Sequence, residues 1–234
     1  MLITLNMNKK QIKQITNNYY SELKKLSKKI AEIFDADAIH RFRVVYKKLR
    51  AFLRMISYFN KTGGEIKISK KLKNAYHISG TIRDLQLQQQ RIQDATKQEF
   101  KRPQAYLDLL QQTIDKLKPE LAAILQDNPV DKCKKNTAER IPGEFTTQHF
   151  NDYTNQKWAV VNTIIASRYL QDNKIHAVRK NLKDLFYNFK MFNELEPGRV
   201  WQDDMKGKEE HYFVQLLEEL GVFQDKYTAI VLLS

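Results

Sequence analysis

His40, Arg43, Lys47, Lys48, Arg50 and Arg54 fall within fifteen residues that also hold Arg41 and contain no acid. Side chains of these types at this spacing hold anions. A guanidinium is a planar fork that donates two parallel hydrogen bonds to phosphate oxygens, and an ammonium is a mobile point charge. At about 100° per residue, His40, Arg43, Lys47, Arg50 and Arg54 share one arc of about 80°, and Phe42, Val45, Leu49, Phe52, Leu53 and Ile56 fall opposite. A helix here has one face to bury and another that carries a row of positive charge about 21 Å long. Like charges at i,i+3 and i,i+4 destabilise a helix, so the row implies a polyanion that supplies the missing charge.

Other positions extend this chemistry. Lys67, Lys70, Lys71 and Lys73 form a second acid-poor cluster, in which Lys70 and Lys73 share a face with His77; anion contact and a solvated surface are both open there. Arg83 next to Asp84 is read either as an internal ion pair or turn-fixing device, or as a ligand contact. His40 and His176 admit three readings: contact with phosphate, a structural hydrogen bond, or metal ligation. The Arg and Lys beside His40 would repel a divalent cation. Phe42, Tyr46, Phe52 and Phe59 suit core packing better than base stacking.

The elements that must position these residues are helices. Apolar periodicity predicts helices over about 8–34, 37–60, 66–100, 104–126, 149–171, 173–194 and 208–232, with Asp37 as a cap for the second. Thr62-Gly63-Gly64 and Glu196-Pro197-Gly198 are loop signals, and Pro103 and Pro119 mark a helix start or bend. Residues 127–148, with Asp127-Asn128-Pro129 and Ile141-Pro142-Gly143, make a connector between a first helical half, 1–126, and a shorter second half, 149–234. Strand patterns are scarce, and the fold class expected is all-α.

The basic helix has an echo. Ile175-His176-Ala177-Val178-Arg179-Lys180-Asn181-Leu182-Lys183-Asp184-Leu185 aligns at constant offset with Ile39 to Leu49, which pairs His40 with His176, Arg43 with Arg179, Lys47 with Lys183 and Arg54 with Lys190. Gly80-Thr81-Ile82-Arg83-Asp84 likewise matches Gly221-Val222-Phe223-Gln224-Asp225. The second stripe therefore offers His176, Arg179, Lys183 and Lys190, with Arg168 and Lys180 as outer candidates. It is the thinner one, because Asp184 and Phe186 stand where Lys48 and Arg50 stand in the first. A duplicated unit folded on itself would bring the two stripes around one groove.

Charge follows the same asymmetry. The 234 residues carry a net charge of +13, which points to an anionic partner. Residues 150–234 hold 11 Lys and Arg against 12 Asp and Glu, and residues 1–149 hold 29 against 15. The single Cys, Cys133, excludes an internal disulfide and fits a reducing compartment. The first residues lack the pattern of a signal peptide, and no apolar run is long enough to span a membrane. A soluble cytoplasmic protein without membrane contact is expected.

These residues resemble the CHAD family of helical domains. The family motif H-x-x-R-V-x-x-K-K-L-R-x-x-L-R is met by His40, Arg43, Val44, Lys47, Lys48, Leu49, Arg50, Leu53 and Arg54. Gly80, Arg83 and Asp84 meet its Gly-x-x-Arg-Asp motif, His176, Arg179 and Lys183 meet the second H-x-x-R-x-x-x-K, and Gly221 to Asp225 resembles the terminal G-x-x-N-D with Gln224 for Asn. The resemblance covers about residues 8–232. It implies one domain of two pseudo-symmetric antiparallel helical bundles around a central basic channel, with inorganic polyphosphate as ligand and polyphosphate granules as a place of association. Some family members are fused to a triphosphatase domain marked by E-x-E-x-K, and that motif does not occur here.

The first expectation is thus a polyphosphate-binding module with no catalytic residue, metal or cofactor. The second is a sequence-nonspecific nucleic-acid-binding protein, since the same charge attracts any phosphate backbone, although no helix-turn-helix, zinc-finger or RNA-binding aromatic motif supports base reading. The third, an enzyme of phosphate metabolism, lacks a G-x-x-x-x-G-K-[ST] loop and a carboxylate cluster for magnesium. Oligomeric state is left open by the sequence.

Overall fold

The computed structural model describes residues 6–59, 64–97, 103–195 and 210–233. Among these, eight helices account for almost all the regular secondary structure: α1 (Lys9–Ile33), α2 (Ala36–Tyr58), α3 (Lys70–Ala95), α4 (Gln104–Gln126), α5 (Pro129–Arg140), α6 (Thr147–Ala166), α7 (Asp172–Leu195) and α8 (Glu210–Leu233). The all-α expectation holds. The exception is one antiparallel pair of two-residue strands, β1 (Met7–Asn8) and β2 (Glu144–Phe145), in which Met7 faces Phe145.

Helix ends follow local chemistry. Phe34 takes a left-handed φ of 48° just past α1, which ends that helix and lets α2 begin two residues later. The cap of α2 is Asp35, not the expected Asp37: its Oδ1 accepts the Ala38 N–H at 2.6 Å, and its carbonyl accepts the Ile39 N–H. That hydrogen bond, with Lys29 nearby, lowers the pKa of the Asp35 carboxyl. Ser69 caps α3 through the Leu72 N–H, so α3 starts four residues later than periodicity suggests. Thr146 and His149 close a reciprocal capping box at α6. Asn128 supplies the left-handed turn between α4 and α5. The segment expected to be a connector therefore holds a helix, α5, which buries Val130, Cys133 and Thr137. The loop signals at 62–63 and 196–198 lie outside the described residues.

The chain divides into two compact units. One takes Ile15–Lys47 and Lys67–Glu139, the other Met1–Gln14, Lys48–Ile66 and Arg140–Ser234. The expected halves are continuous in sequence; these units are not, because α2 passes from one to the other at Lys47–Lys48.

In the unit of 15–47 and 67–139, α3 packs on α4. Its core is built from Tyr20, Leu23 and Ile30 of α1, Ile39, Phe42 and Tyr46 of α2, and Leu72, Ala75 and Ile82 of α3, all at most 2% exposed. Tyr20 Oη lies 2.6 Å from Thr137 Oγ1 and 3.3 Å from Cys133 Sγ, so the buried hydroxyl is satisfied. In the other unit α6 packs on α7 and α7 on α8. Phe150 meets Phe189 and Phe192 edge to face at 5.4 and 4.8 Å. Leu49, Phe52, Leu53 and Ile56 of α2 are buried here. Each full burial of such a side chain is worth about 1.5–3 kcal/mol, so the apolar face of α2 anchors the basic one.

Candidate functional site

In the first unit the site is built by α2 and α3. On α2 the spacing of His40, Arg43 and Lys47 keeps all three on one face. On α3 Tyr76, Gly80 and Arg83 stand at i, i+4 and i+7, again one face. Arg43 lies across α3 at Gly80, where a Cβ would stand 2.1 Å from Nη1 and 3.0 Å from Cζ. Only a glycine leaves that path clear. The guanidinium Nη1 donates to the Tyr76 carbonyl at 3.1 Å, and Cζ sits 4.9 Å from the centre of the Tyr76 ring. That ring is in turn stacked on Tyr46 at 4.2 Å and 14°. Arg43 is thus aimed by a carbonyl, a ring and a missing side chain, and this use takes one of its five N–H donors.

His40 opens the same face. Partial loss of water lowers its pKa first, and Arg83, Lys47 and Arg43 lower it further, against a weaker opposing pull from Asp37. On balance these surroundings favour the neutral imidazole. Arg83 also keeps a buried Nε with no hydrogen-bond partner. Two motifs about forty residues apart have converged into a patch in which positive charge outweighs the pull of Asp37, and an anion would relieve the excess.

The second unit repeats the arrangement with α7 and α8. Arg179 Nη2 stands 3.3 Å from where a Cβ on Gly221 would be, the same pairing of motif Arg with motif Gly, more loosely set. Arg179 Nε is likewise buried without a hydrogen-bond partner. His176 Nδ1 donates to Gln224 Oε1 at 2.8 Å, and Gln224 holds the place that Arg83 holds in the first motif. Burial and Arg179 depress the Lys183 pKa, while Glu218 pulls it back. Lys183 and Lys190 both face Phe186, at 5.7 and 5.9 Å from the ring centre. A glutamine for an arginine, and a nearby glutamate, leave this patch weaker in charge.

Arg54 is drawn elsewhere. Its Nη1 donates to both oxygens of Asp184, at 2.9 and 3.3 Å, and Lys157 Nζ reaches the same carboxylate at 3.3 Å and Asn181 Oδ1 at 3.0 Å. The Asp184 side chain is 6% exposed and that of Arg54 29%, against 46% and 44% for the exposed pair Asp131–Lys24. Exposed pairs contribute about 0–1 kcal/mol, whereas removing one partner of a buried pair costs about 3–5 kcal/mol. Arg54 is committed to Asp184. Arg50 and Lys180 belong to the same neighbourhood: burial, then Arg54 and Arg50, hold the Lys180 pKa down.

The remaining expected residues are more dispersed. Lys70 and Lys73 are exposed on the first turn of α3, where the neighbouring Lys71 pairs with Asp127. Lys48 is half-buried at the point where α2 enters the second unit. Sequence reasoning missed Tyr76, Lys157 and Glu218. Tyr76 carries a legible signal, since it stands four residues before Gly80 on the motif face. Lys157 carries none, because a lone lysine on a mixed helix says nothing of its partners.

Comparison with known proteins places these features in a family. A sequence model of the CHAD domain matches residues 14–234. The fold is similar to the crystal structure of the CHAD domain from the plant Ricinus communis, with a TM-score of 0.67 at 16% identity over 97% of this chain and 79% of that one. Comparison with curated protein sequences finds no match.

Proposed function

The chain belongs to the CHAD domain family, and on that premise we propose that it binds long-chain inorganic polyphosphate without turning it over. The observation that carries this reading is the meeting of His40, Arg43, Lys47 and Arg83, from two separate motifs, in one patch of positive charge. A linear polyanion needs a row of donors and no base-reading pattern, and α2 and α7 supply such rows. His40, Arg43, Lys47 and Arg83 make the stronger grip, and His176, Arg179, Lys183 and Lys190 the weaker. The basic channel expected from the family resemblance, a cytoplasmic location and association with polyphosphate granules are parts of the same proposal. Among the described residues no helix is long and apolar enough to cross a membrane.

Nonspecific nucleic-acid binding is the second reading, since the charge is blind to the kind of phosphate. Single-stranded nucleic acids also gain from aromatic faces on which bases stack. The aromatics nearest the first stripe do not offer them: Phe42, Tyr46 and Phe52 are buried, and Tyr46 is covered by Tyr76. The test is a competition titration of fluorescent nucleic acid against long-chain polyphosphate at about physiological salt. Polyphosphate is expected to displace the nucleic acid. Equal or tighter binding of duplex DNA would overturn the proposal, and protein-dependent release of phosphate would restore an enzymatic reading.

A further inference from the structure

Asp184 departs from the pattern of the repeat it sits in. At the constant offset between the two basic helices it stands where Lys48 stands, so a cation has been exchanged for an anion. Exchanges of this kind on a helix surface are usually silent. This one is not on the surface: Asp184 is 4% exposed in the finished fold. Its two oxygens are met by Arg54 Nη1 and Lys157 Nζ, two cations that come from α2 and α6. Arg50 and Lys180 are close enough to disturb the same neighbourhood.

A carboxylate held between a guanidinium and an ammonium is in the chemical position of a bound phosphate. Both are compact, oxygen-rich anions that accept from the same donors. One carboxylate between Arg54 and Lys157 also leaves that cluster with a net positive charge. We propose that Asp184 is a built-in counter-ion that occupies the Arg54–Lys157 pair and keeps it from the polyanion, so that it limits affinity in the second unit. The inference rests on the polyphosphate reading and names what regulates its strength. It also accounts for the loss of Arg54 from the first stripe: that cation is held by the protein's own anion.

The variant Asp184→Asn keeps the shape and one acceptor and removes the charge. Its binding to inorganic tripolyphosphate at about physiological salt is expected to be at least about fivefold tighter than that of the unaltered chain, with a steeper salt dependence, because two more cations become available to release counter-ions. Adding Arg54→Gln should erase the gain. Unchanged or weaker binding by a folded D184N, or a gain that survives R54Q, overturns the inference. Loss of the carboxylate leaves two partly buried cations, Arg54 and Lys157, without their shared anion and threatens folding. The second variant, D184N/K157Q, removes one of them and should still bind more tightly than the unaltered chain, by a smaller factor; no gain overturns the inference here too. If the unaltered chain binds no polyphosphate of any length, the functional reading falls, and the appearance of an Arg54-dependent tripolyphosphate site in D184N still decides this one.

Discussion

Arg43 crosses the backbone of α3 so closely at Gly80 that a methyl group there would stand 2.1 Å from its Nη1. The obstructed atom is the tip of a flexible side chain, so Gly80→Ala moves Arg43 and not the helices. Alanine is also the better helix former by about 1 kcal/mol, which offsets the loss of the bond to the Tyr76 carbonyl. G80A is expected to stay within about 1 kcal/mol of the original stability while it loses polyphosphate affinity by about tenfold, the worth of one charge-assisted hydrogen bond. At Gly221 the clearance to Arg179 is 3.3 Å, and a shift of a few tenths of an ångström suffices, so G221A should bind nearly as before. Denaturant unfolding and isothermal titration of both variants check this. A G80A protein that binds like the original would show that the aim of Arg43 is unimportant.

The unequal patches predict unequal effects of substitution. The second one has Gln224 where the first has Arg83, and Glu218 beside Lys183. Neutralising Arg43 and Lys47 together to Gln should therefore weaken binding much more than neutralising Arg179 and Lys183. The salt dependence should flatten by about one unit of slope for each phosphate left without its cation. Affinities measured at three salt concentrations give both quantities. Equal weakening from the two pairs would show that the local acids do not matter to the ligand.

The basic helix is legible because its signal is local: six cations, no acid and an unbroken apolar period fix its faces, and the structure buries Phe42, Val45, Leu49, Phe52, Leu53 and Ile56 as expected. The all-α class follows from the same periodicity. What a local signal misses is settled by partners far along the chain or by single-residue register. The row of cations assigns Arg54 to the ligand, yet its partner Asp184 lies 130 residues away. Helix α5 escapes the periodicity because it is short and mostly polar, with only four buried residues. The role of Gly80 is visible as a motif letter, but its reason, the path of Arg43, needs two helices in place.

Register also decides a cap. Periodicity cannot tell Asp35 from Asp37, since both precede the first apolar turn of α2. The structure gives the hydrogen bond to Asp35. Asp35→Ala is expected to lower the melting temperature measurably, and Asp37→Ala to leave it almost unchanged. The sign of the pH dependence follows from the lowered pKa of Asp35. Its stabilisation is fully present above the unfolded aspartate value, about 3.9, and is lost as the pH falls through the lower folded value. The D35A and original melting curves should converge in acid; a constant gap would deny the carboxylate its role.

Polyphosphate binding should strengthen in mild acid, and His40 is the reason. In the free protein burial, Arg83, Lys47 and Arg43 hold its pKa below the ordinary value of 6.5. A phosphate chain laid on the same patch neutralises those cations and favours the imidazolium, so the pKa in the complex rises. Binding then takes up a proton, and affinity must increase as the pH falls from the complex value to the free one. Each unit of separation between the two is worth a factor of about ten, so tighter binding at pH 5.5 than at pH 7.5 is expected. The interior phosphates of a long chain stay ionised across this range and contribute no slope. Stability moves the other way: the unfolded histidine protonates first, so the free protein loses stability as the pH drops through 6.5 towards the folded value. Titrations of the original chain and His40→Gln at four pH values separate these effects. H40Q should bind with a flatter pH profile, and an equal slope in both proteins would remove His40 from the site.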